Sequence, residues 1–127
     1  MQEDKWIDFD IAKVKALKEE YETAMQIALE MMPKINWNSP KQIIAYFQET
    51  FDITIPNAKI GTFAALLPTF DEDTEEYYAV LEALTFLRLR YTVQNYLTAI
   101  LRHEHKGRVL LRCEQGRLLM PNKQPLP

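Results

Sequence analysis

The arginines of this chain are concentrated in its last third, where they could bind a polyanion. Residues 88 to 127 carry eight basic and two acidic side chains, a net charge of +6, whereas residues 1 to 87 carry seven lysines and sixteen acids, a net charge of −9. Clustered arginine and lysine are the side chains that bind phosphates. Charge alone leaves two interpretations open: a polyanion site, or else a solvated face or an intramolecular partner for the acidic part. The six arginines are Arg88, Arg90, Arg102, Arg108, Arg112 and Arg117.

A second group of polar residues stands directly before a predicted helix. Asn36, Asn38 and Ser39 precede Pro40, which suits the first position of a helix. The amide groups of a first helical turn point outward and bind phosphate readily. A serine at this position also serves simply to cap its own helix, so the pattern by itself favours either function.

Other chemistry finds little support in the sequence. The segment His103-Glu104-His105 offers two histidines without a third ligand at suitable spacing, which is more typical of a solvated helix end than of a zinc site. The single Cys113 excludes an internal disulfide and is expected to be half-buried on a strand. No Gly-rich phosphate loop and no nucleophile with a base partner is present. We expect no cofactor and no metal.

The elements that would position these residues are mainly helices. Apolar residues at helical spacing predict an amphipathic helix from Asp10, its cap, to Met32, before Pro33. Ser39 and Gln42 form an S-x-x-Q capping box for a helix that continues through Phe51. Thr62 is expected to cap a short helix over residues 63 to 67, and a helix that is apolar almost all round is expected over residues 75 to 102.

The carboxyl end has a different pattern. Alternation over Arg108–Cys113 predicts one short strand or an extended arm. From Gly116 onward, three prolines in the last seven residues predict an extended tail without a regular element. The predicted fold is therefore mainly α, a small helical domain of long antiparallel helices (residues 1–106) with a short strand and tail (residues 107–127). No apolar run reaches the length of a membrane span, and the start does not resemble a signal peptide, so a cytoplasmic protein is expected.

Five segments, in the correct order, resemble the thumb of family A (bacterial DNA polymerase I-like) DNA polymerases of phages or bacteria. Ile35–Ile43 is similar to the N-x-N-S-P-K-Q-L pattern at the thumb tip, and Gly61–Leu66 stands in the place of an S-T-S-x-x-x-L stretch. Leu87–Thr92 resembles an L-x-K-L-K-S-T-Y helix. Gly107–Val109 resembles a G-R-[LIV] strand, and the segment from Gly116 to Pro127 a shortened T-G-R-L-S-S-x-x-P-N-L-Q-N-I-P.

The resemblance implies a module that grips primer-template duplex through its backbone and minor groove, joined to the first stretch of the palm. By position, the phosphate contacts would come from the thumb tip and from two arginines that replace lysines, and minor-groove contacts near the primer end would come from the tail. The implied DNA-binding residues are Asn36, Asn38, Ser39, Lys41, Thr62, Arg88, Arg90, Arg117, Asn122 and Gln124.

The departures from the family pattern bear on function. An arginine of the family is Leu84 here, the asparagine that would follow Gln124 is Pro125, and the tail is short by two residues before Pro121. The palm carboxylates that hold two magnesium ions and the fingers helix that binds triphosphate do not follow. The resemblance therefore implies a related fragment that is not an enzyme on its own. Contacts with the DNA backbone are favoured over contacts with bases in the minor groove.

Three functions remain open from the sequence. The first is a non-catalytic module that binds duplex DNA. The second is a protein interaction module, in which the apolar helix over residues 75 to 102 forms a homodimer or docks on the palm-and-fingers chain of a split polymerase. The third is a folded remnant with little function.

Overall fold

Helices dominate the computed structural model, which describes residues 4–114, 117–122 and 124. A 3-10 turn, Leu67–Thr69, follows the helix Ile60–Leu66. A π-helical turn, Val93–Leu97, joins the helices Glu75–Thr92 and Thr98–His103, so that one helix of 29 residues runs from Glu75 to His103. The predicted fold class, mainly α with a short strand near the carboxyl end, is confirmed. The elements in chain order are β1 (Lys5–Asp8), α1 (Ile11–Met31), α2 (Pro40–Phe51), α3 (Ile60–Leu66), α4 (Glu75–Thr92), α5 (Thr98–His103), β2 (Arg108–Glu114) and β3 (Arg117–Leu119).

The ends of α1 are set as its sequence predicts. The carboxylate of Asp10 accepts a hydrogen bond from the Lys13 amide at 3.1 Å, which satisfies one of the free amides of the first turn. The helix ends two residues before Pro33, which has no amide hydrogen to continue it. No side chain of α1 is fully buried, because its apolar stripe is only half covered.

Contacts divide the described residues into two compact units. The sheet unit lies within Met1–Ala24 and Leu89–Pro127, and the helical unit is Met25–Arg88. Both α1 and the 29-residue helix begin in one unit and end in the other. The division into residues 1–106 and 107–127 stays a prediction, and the units follow strand pairing rather than chain order.

The core of the helical unit is aromatic. Phe47 and Phe63 are completely buried, with ring centroids 5.3 Å apart. Ile43 and Phe47 are four residues apart on α2 and so share the face that is buried in a cluster that also contains Val80. Burying one such side chain contributes roughly 1.5–3 kcal/mol to stability. This core holds the turn before α2 in place.

The sheet unit contains three antiparallel strands in the order β1-β2-β3. The alternation predicted for β2 is confirmed, since Val109 and Leu111 are buried while Arg108, Leu110 and Arg112 are exposed. The two buried side chains form a second core with residues that include Ile100 and Met120.

A tight turn leads from α5 into β2. Residues His105 and Arg108 exchange both backbone hydrogen bonds, at 2.7 and 3.1 Å. Lys106 and Gly107 between them have φ values of 54° and 79°. Positive φ at both central residues is what a type I′ turn requires. The carbonyl of Gly107 also accepts the Phe9 amide at 2.9 Å, which connects the turn to the chain after β1.

Two of the three strands differ from the sequence prediction. Strand β1 was not predicted, because its four residues show no period of their own and are defined by pairing with β2, about a hundred positions away. The prediction that no regular element follows Gly116 is wrong for Arg117–Leu119, which pair with Arg112–Glu114. The first proline of the tail, Pro121, comes after this strand and does not prevent it. Gly116 itself, Lys123 and residues 125–127 lie outside the described residues.

Candidate nucleic-acid interface

The amino-terminal end of α2 has the predicted serine cap. Ser39 has extended backbone, and its hydroxyl accepts the Gln42 amide at 3.3 Å. The other half of the predicted capping box is different. The side-chain carbonyl of Gln42 accepts the amide of Asn36 at 2.9 Å, while the Ser39 amide donates to the Asn36 carbonyl at 3.0 Å. Gln42 therefore ties down the whole preceding turn rather than the cap residue alone.

That turn is pinned by one buried ring. The Trp37 side chain is 5% exposed, and its indole nitrogen donates to the Pro33 carbonyl at 3.0 Å. The side-chain oxygen of Asn36 accepts the Asn38 amide at 2.9 Å, an Asx turn. Asn36 and Asn38 are both exposed on either side of the buried tryptophan. Asn36 and Asn38 thus lie at the surface of a turn that several hydrogen bonds hold together.

The anion-binding capacity of this helix end is smaller than the sequence predicts. Pro40 has no amide hydrogen, Ser39 occupies the Gln42 amide through its hydroxyl, and the Ser39 carbonyl accepts the Ile43 amide at 3.1 Å. Among the described residues, no partner occupies the Lys41 amide, and the Lys41 side chain is exposed. One amide and one ammonium group are therefore available to a phosphate.

The predicted role of Thr62 as a helix cap is wrong. Helix α3 begins two residues earlier, at Ile60, and Lys59 is its N-cap. The Thr62 amide donates to the Lys59 carbonyl, and the Thr62 hydroxyl donates to the side-chain oxygen of Asn57. Asn57 also accepts the Lys59 amide at 3.1 Å. Sequence reasoning missed Asn57, although an asparagine directly after Pro56 is typical of a turn that leads into a helix.

The two helix arginines differ in their surroundings. Arg88 is exposed, whereas Arg90 is half-buried, and this burial lowers the pKa of Arg90 from its ordinary value. Residues two apart on an α-helix project about 200° apart. The two side chains therefore leave the helix on different sides, and of the two only Arg88 is well exposed.

The tail residues predicted to read the minor groove make hydrogen bonds to the long helix. The Asn122 side-chain amide donates to the Asn95 carbonyl at 3.0 Å, and the Tyr91 hydroxyl donates to the side-chain carbonyl of Gln124 at 2.7 Å. The Met120 amide donates to the Gln124 carbonyl at 2.9 Å, which closes a turn. Both polar side-chain atoms of Asn122 and the side-chain oxygen of Gln124 are thus engaged within the sheet unit.

The arginines of the strands divide into paired and unpaired. Arg108 forms an ion pair with Asp8 at 2.8 Å and Arg112 with Glu114 at 3.4 Å, and all of these side chains are exposed except that of Glu114, which is half-buried. Exposed pairs of this kind contribute about 0–1 kcal/mol. Arg117 is exposed opposite Glu114 in the register, and it makes no ion pair within the described ranges. Part of the basic charge is therefore neutralised by acids of the same unit.

His103 ends α5, Glu104 has extended backbone, and His105 begins the tight turn that leads into β2. The Glu104 carboxylate accepts the Gly107 amide at 3.0 Å. In the portion of the chain that the structure describes, no three histidine, cysteine or acidic side chains come together as metal ligands would. Within the same portion, none of the helices combines the length and the apolar content needed to cross a membrane.

Comparisons with protein-family models, with curated proteins and with solved structures found no match to this chain. The resemblance to the thumb of family A DNA polymerases therefore stays a prediction from the five segments. The geometry of the described residues is what supports a function.

Proposed function

We propose that this chain is a non-catalytic module that holds duplex DNA, a primer-template, through its phosphates. The observation that carries the proposal is the hydrogen-bonded turn before α2, where Asn36 is exposed and the amide and side chain of Lys41 are available. The exposed Arg88 belongs to the same helical unit and supplies a second cation. These are donors suited to phosphate oxygens, which carry no sequence information.

The charge of the helical unit limits the expected affinity. Met25–Arg88 contains four basic and nine acidic side chains, a net charge of −5. Binding must therefore come from local contacts, because the long-range field of the unit repels DNA. With two cations neutralising phosphates, the logarithm of affinity should fall with the logarithm of salt concentration with a slope of about −2.

The hydrogen bonds of the tail favour a module that binds the DNA backbone over one that recognises bases. Asn122 and Gln124 would have to give up hydrogen bonds to Asn95 and Tyr91 before they could contact base edges. Each lost bond offsets the gain from a base contact. We therefore propose binding without sequence preference, with catalysis left to a palm-and-fingers chain as partner.

Fluorescence anisotropy with a labelled primer-template at low salt tests the proposal. The double variant Lys41→Ala, Arg88→Ala should lose most of the affinity and most of the salt dependence. The matched control is Lys13→Ala, Lys15→Ala, which removes two exposed lysines of α1 from the sheet unit. Absence of binding at low salt, or equal losses in both double variants, would contradict the proposal.

A further inference from the structure

The helical unit contains an open apolar groove that the proposed DNA contacts do not use. Its volume is about 500 Å³. The aromatic side chains of Trp37, Tyr46 and Phe51 line it. The ring centroid of Tyr46 lies 6.3 Å from that of Trp37 and 6.0 Å from that of Phe51. Met31 and Tyr78 also line it. A concave surface built from aromatic and methionine side chains is typical of a binding site.

Large apolar side chains remain in solvent at this groove. Met31 is 78% exposed and Tyr78 is 54% exposed. Ile27, one turn before Met31 on α1, is 54% exposed and extends the same surface. Contiguous exposed apolar surface marks interaction sites, and methionine adapts its shape to different partners.

Carboxylates border the groove along α4. Glu75, Tyr78, Ala79 and Glu82 are spaced by three, one and three residues, which places them on one face of the helix. Glu75 and Glu82 are exposed and form no ion pair with the residues that the structure describes. Burial, and then the charge of Glu82, raises the pKa of Tyr46 above its ordinary value, so this carboxylate acts on the groove itself.

The charge selects the occupant. The two carboxylates at its rim repel phosphate, so neither DNA nor an anionic lipid surface is complementary to this groove. A second copy of the same groove would place acid against acid, which is also unfavourable. An apolar segment flanked by lysine or arginine matches both the aromatic lining and the rim.

We propose that this groove binds an amphipathic helix of a partner protein, whose apolar face fills the space beside Met31 and Tyr78 and whose basic side chains pair with Glu75 and Glu82. The two glutamates are seven residues apart, about 10 Å along α4. Two basic residues one heptad apart on the partner helix match this spacing. Met31, Tyr78, Glu75 and Glu82 are not among the proposed DNA contacts, so either function can fail without the other.

The test uses methionine methyl resonances of the full chain during titration with a synthetic helical peptide of leucine and lysine, with lysines seven residues apart. Met31 and Met32 line the groove, whereas Met120 is buried in the sheet unit and serves as an internal reference. We expect the first two resonances to shift saturably and that of Met120 to stay in place. The same peptide with glutamate in place of lysine should not bind.

Two double variants measure the contribution of the carboxylates at the groove's rim to peptide binding. Glu75→Gln, Glu82→Gln should weaken peptide binding about three- to tenfold at low salt, as expected for two exposed ion pairs. Glu19→Gln, Glu20→Gln removes the same charge from exposed positions of α1 in the sheet unit and should leave binding unchanged. Circular dichroism checks that each variant is folded.

Several outcomes would overturn the proposal. They are equal binding of the glutamate peptide, equal effects of the two double variants, and no shift of Met31 and Met32 with the lysine peptide. A shift of these resonances with protein concentration alone, or with vesicles of anionic lipid, would assign the groove to self-association or to a membrane instead.

Discussion

The side-chain amide of Asn122 donates a hydrogen bond over 3.0 Å to the backbone carbonyl of Asn95, within the π-helical turn Val93–Leu97. A π turn interrupts the regular hydrogen bonds of an α-helix, and such turns are frequent at functional sites. The chain after β3 thus supplies a partner to a carbonyl at this irregular position. The side-chain oxygen of Asn122 also accepts a hydrogen bond from the Gln124 amide, at 3.2 Å.

Asn122→Ala should release the tail from the helix. The loss of two exposed hydrogen bonds is expected to cost about 0.5–1.5 kcal/mol, and hydrogen exchange of the Gln124 amide should accelerate. Nuclear magnetic resonance exchange measurements and urea unfolding provide the readouts. Gln94→Ala, at an exposed position of the same turn, is the control and should leave that exchange rate unchanged. An unaltered Gln124 amide in the Asn122 variant would contradict the expectation.

Two tyrosines make stability depend on alkaline pH. The pKa of Tyr96 is raised above the ordinary 10.0, first by burial and then by the charge of Tyr91 and a hydrogen bond with it. The pKa of Tyr46 is raised first by burial and then by the charge of Glu82. A raised pKa in the folded chain means that the unfolded chain loses its proton first. The stability is fully present below pH 10.0 and is lost as pH rises through the raised values. Urea unfolding across this range measures the loss.

Variants separate the two tyrosines. Glu82→Gln should lower the pKa of Tyr46 toward 10.0 and leave that of Tyr96 unchanged, because the carboxylate acts on Tyr46 alone. Tyr91→Phe should do the reverse. Carbon-13 resonances of the tyrosine rings, followed during a pH titration, give both values. Parallel shifts of both tyrosines in either variant would show that the assigned causes are wrong.

Two glycines should respond oppositely to substitution by alanine. A Cβ atom at Gly61 or Gly107 would meet no other atom within 4 Å, so packing does not decide. Gly107 has a φ of 79°, and Gly107→Ala is expected to cost about 1–2 kcal/mol. Gly61 lies inside α3, and Gly61→Ala should stabilise by roughly 0.5–1 kcal/mol. Thermal unfolding of both variants tests the turn geometry, and a change of the same sign in both would contradict it.

The cap of α2 should respond to loss of the Ser39 hydroxyl. Ser39→Ala leaves the Gln42 amide without its acceptor and is expected to destabilise by about 0.5–2 kcal/mol, whereas Ser39→Gly should cost only a few tenths. Urea unfolding compares the two variants. Equal effects of alanine and glycine would indicate that the hydroxyl does not act as a cap.

Arg88 and Arg90 should separate binding from folding. Arg88→Ala removes an exposed cation and is expected to lower affinity for a primer-template severalfold without changing the unfolding midpoint. Arg90→Ala removes a half-buried side chain with a lowered pKa and should also destabilise the fold, by about 1 kcal/mol. Anisotropy and urea unfolding on the same samples distinguish the effects. Identical behaviour of the two variants would contradict the difference in their surroundings.

Local signals predicted the helices well. Asp10, Ser39 and Pro33 act through neighbours within a few residues, so a cap or a stop is readable from the sequence. The 29-residue helix was expected over nearly its full length, with acids in its first turn and Arg102 and His103 in its last. Dipole and capping rules operate on the same short scale.

Non-local pairing was not predictable in the same way. Strand β1 pairs Lys5 with Leu111, and nothing within a four-residue segment reveals a partner so distant. The side chains of Asn122 and Gln124 could be placed in a groove-reading role only by resemblance, because their actual partners lie 27 and 33 positions earlier. The Gln42 side chain was likewise predicted to bond the cap residue Ser39. Its actual partner is the amide of Asn36, six positions earlier.

The π turn Val93–Leu97 accommodates one extra residue in the long helix. A turn of this type holds one residue more than an α turn, so every side chain after Leu97 is rotated by about 100° from the place that an uninterrupted helix would give it. Ala99 and Ile100 owe their contacts with the buried face of β2 to that offset. Deleting one residue at exposed Gln94 removes the extra residue, so the resulting regular helix is expected to leave Ile100 facing its core. A single-residue deletion should therefore be tolerated at the π turn, whereas a deletion in a regular turn of the same helix would rotate the side chains after it by about 100°.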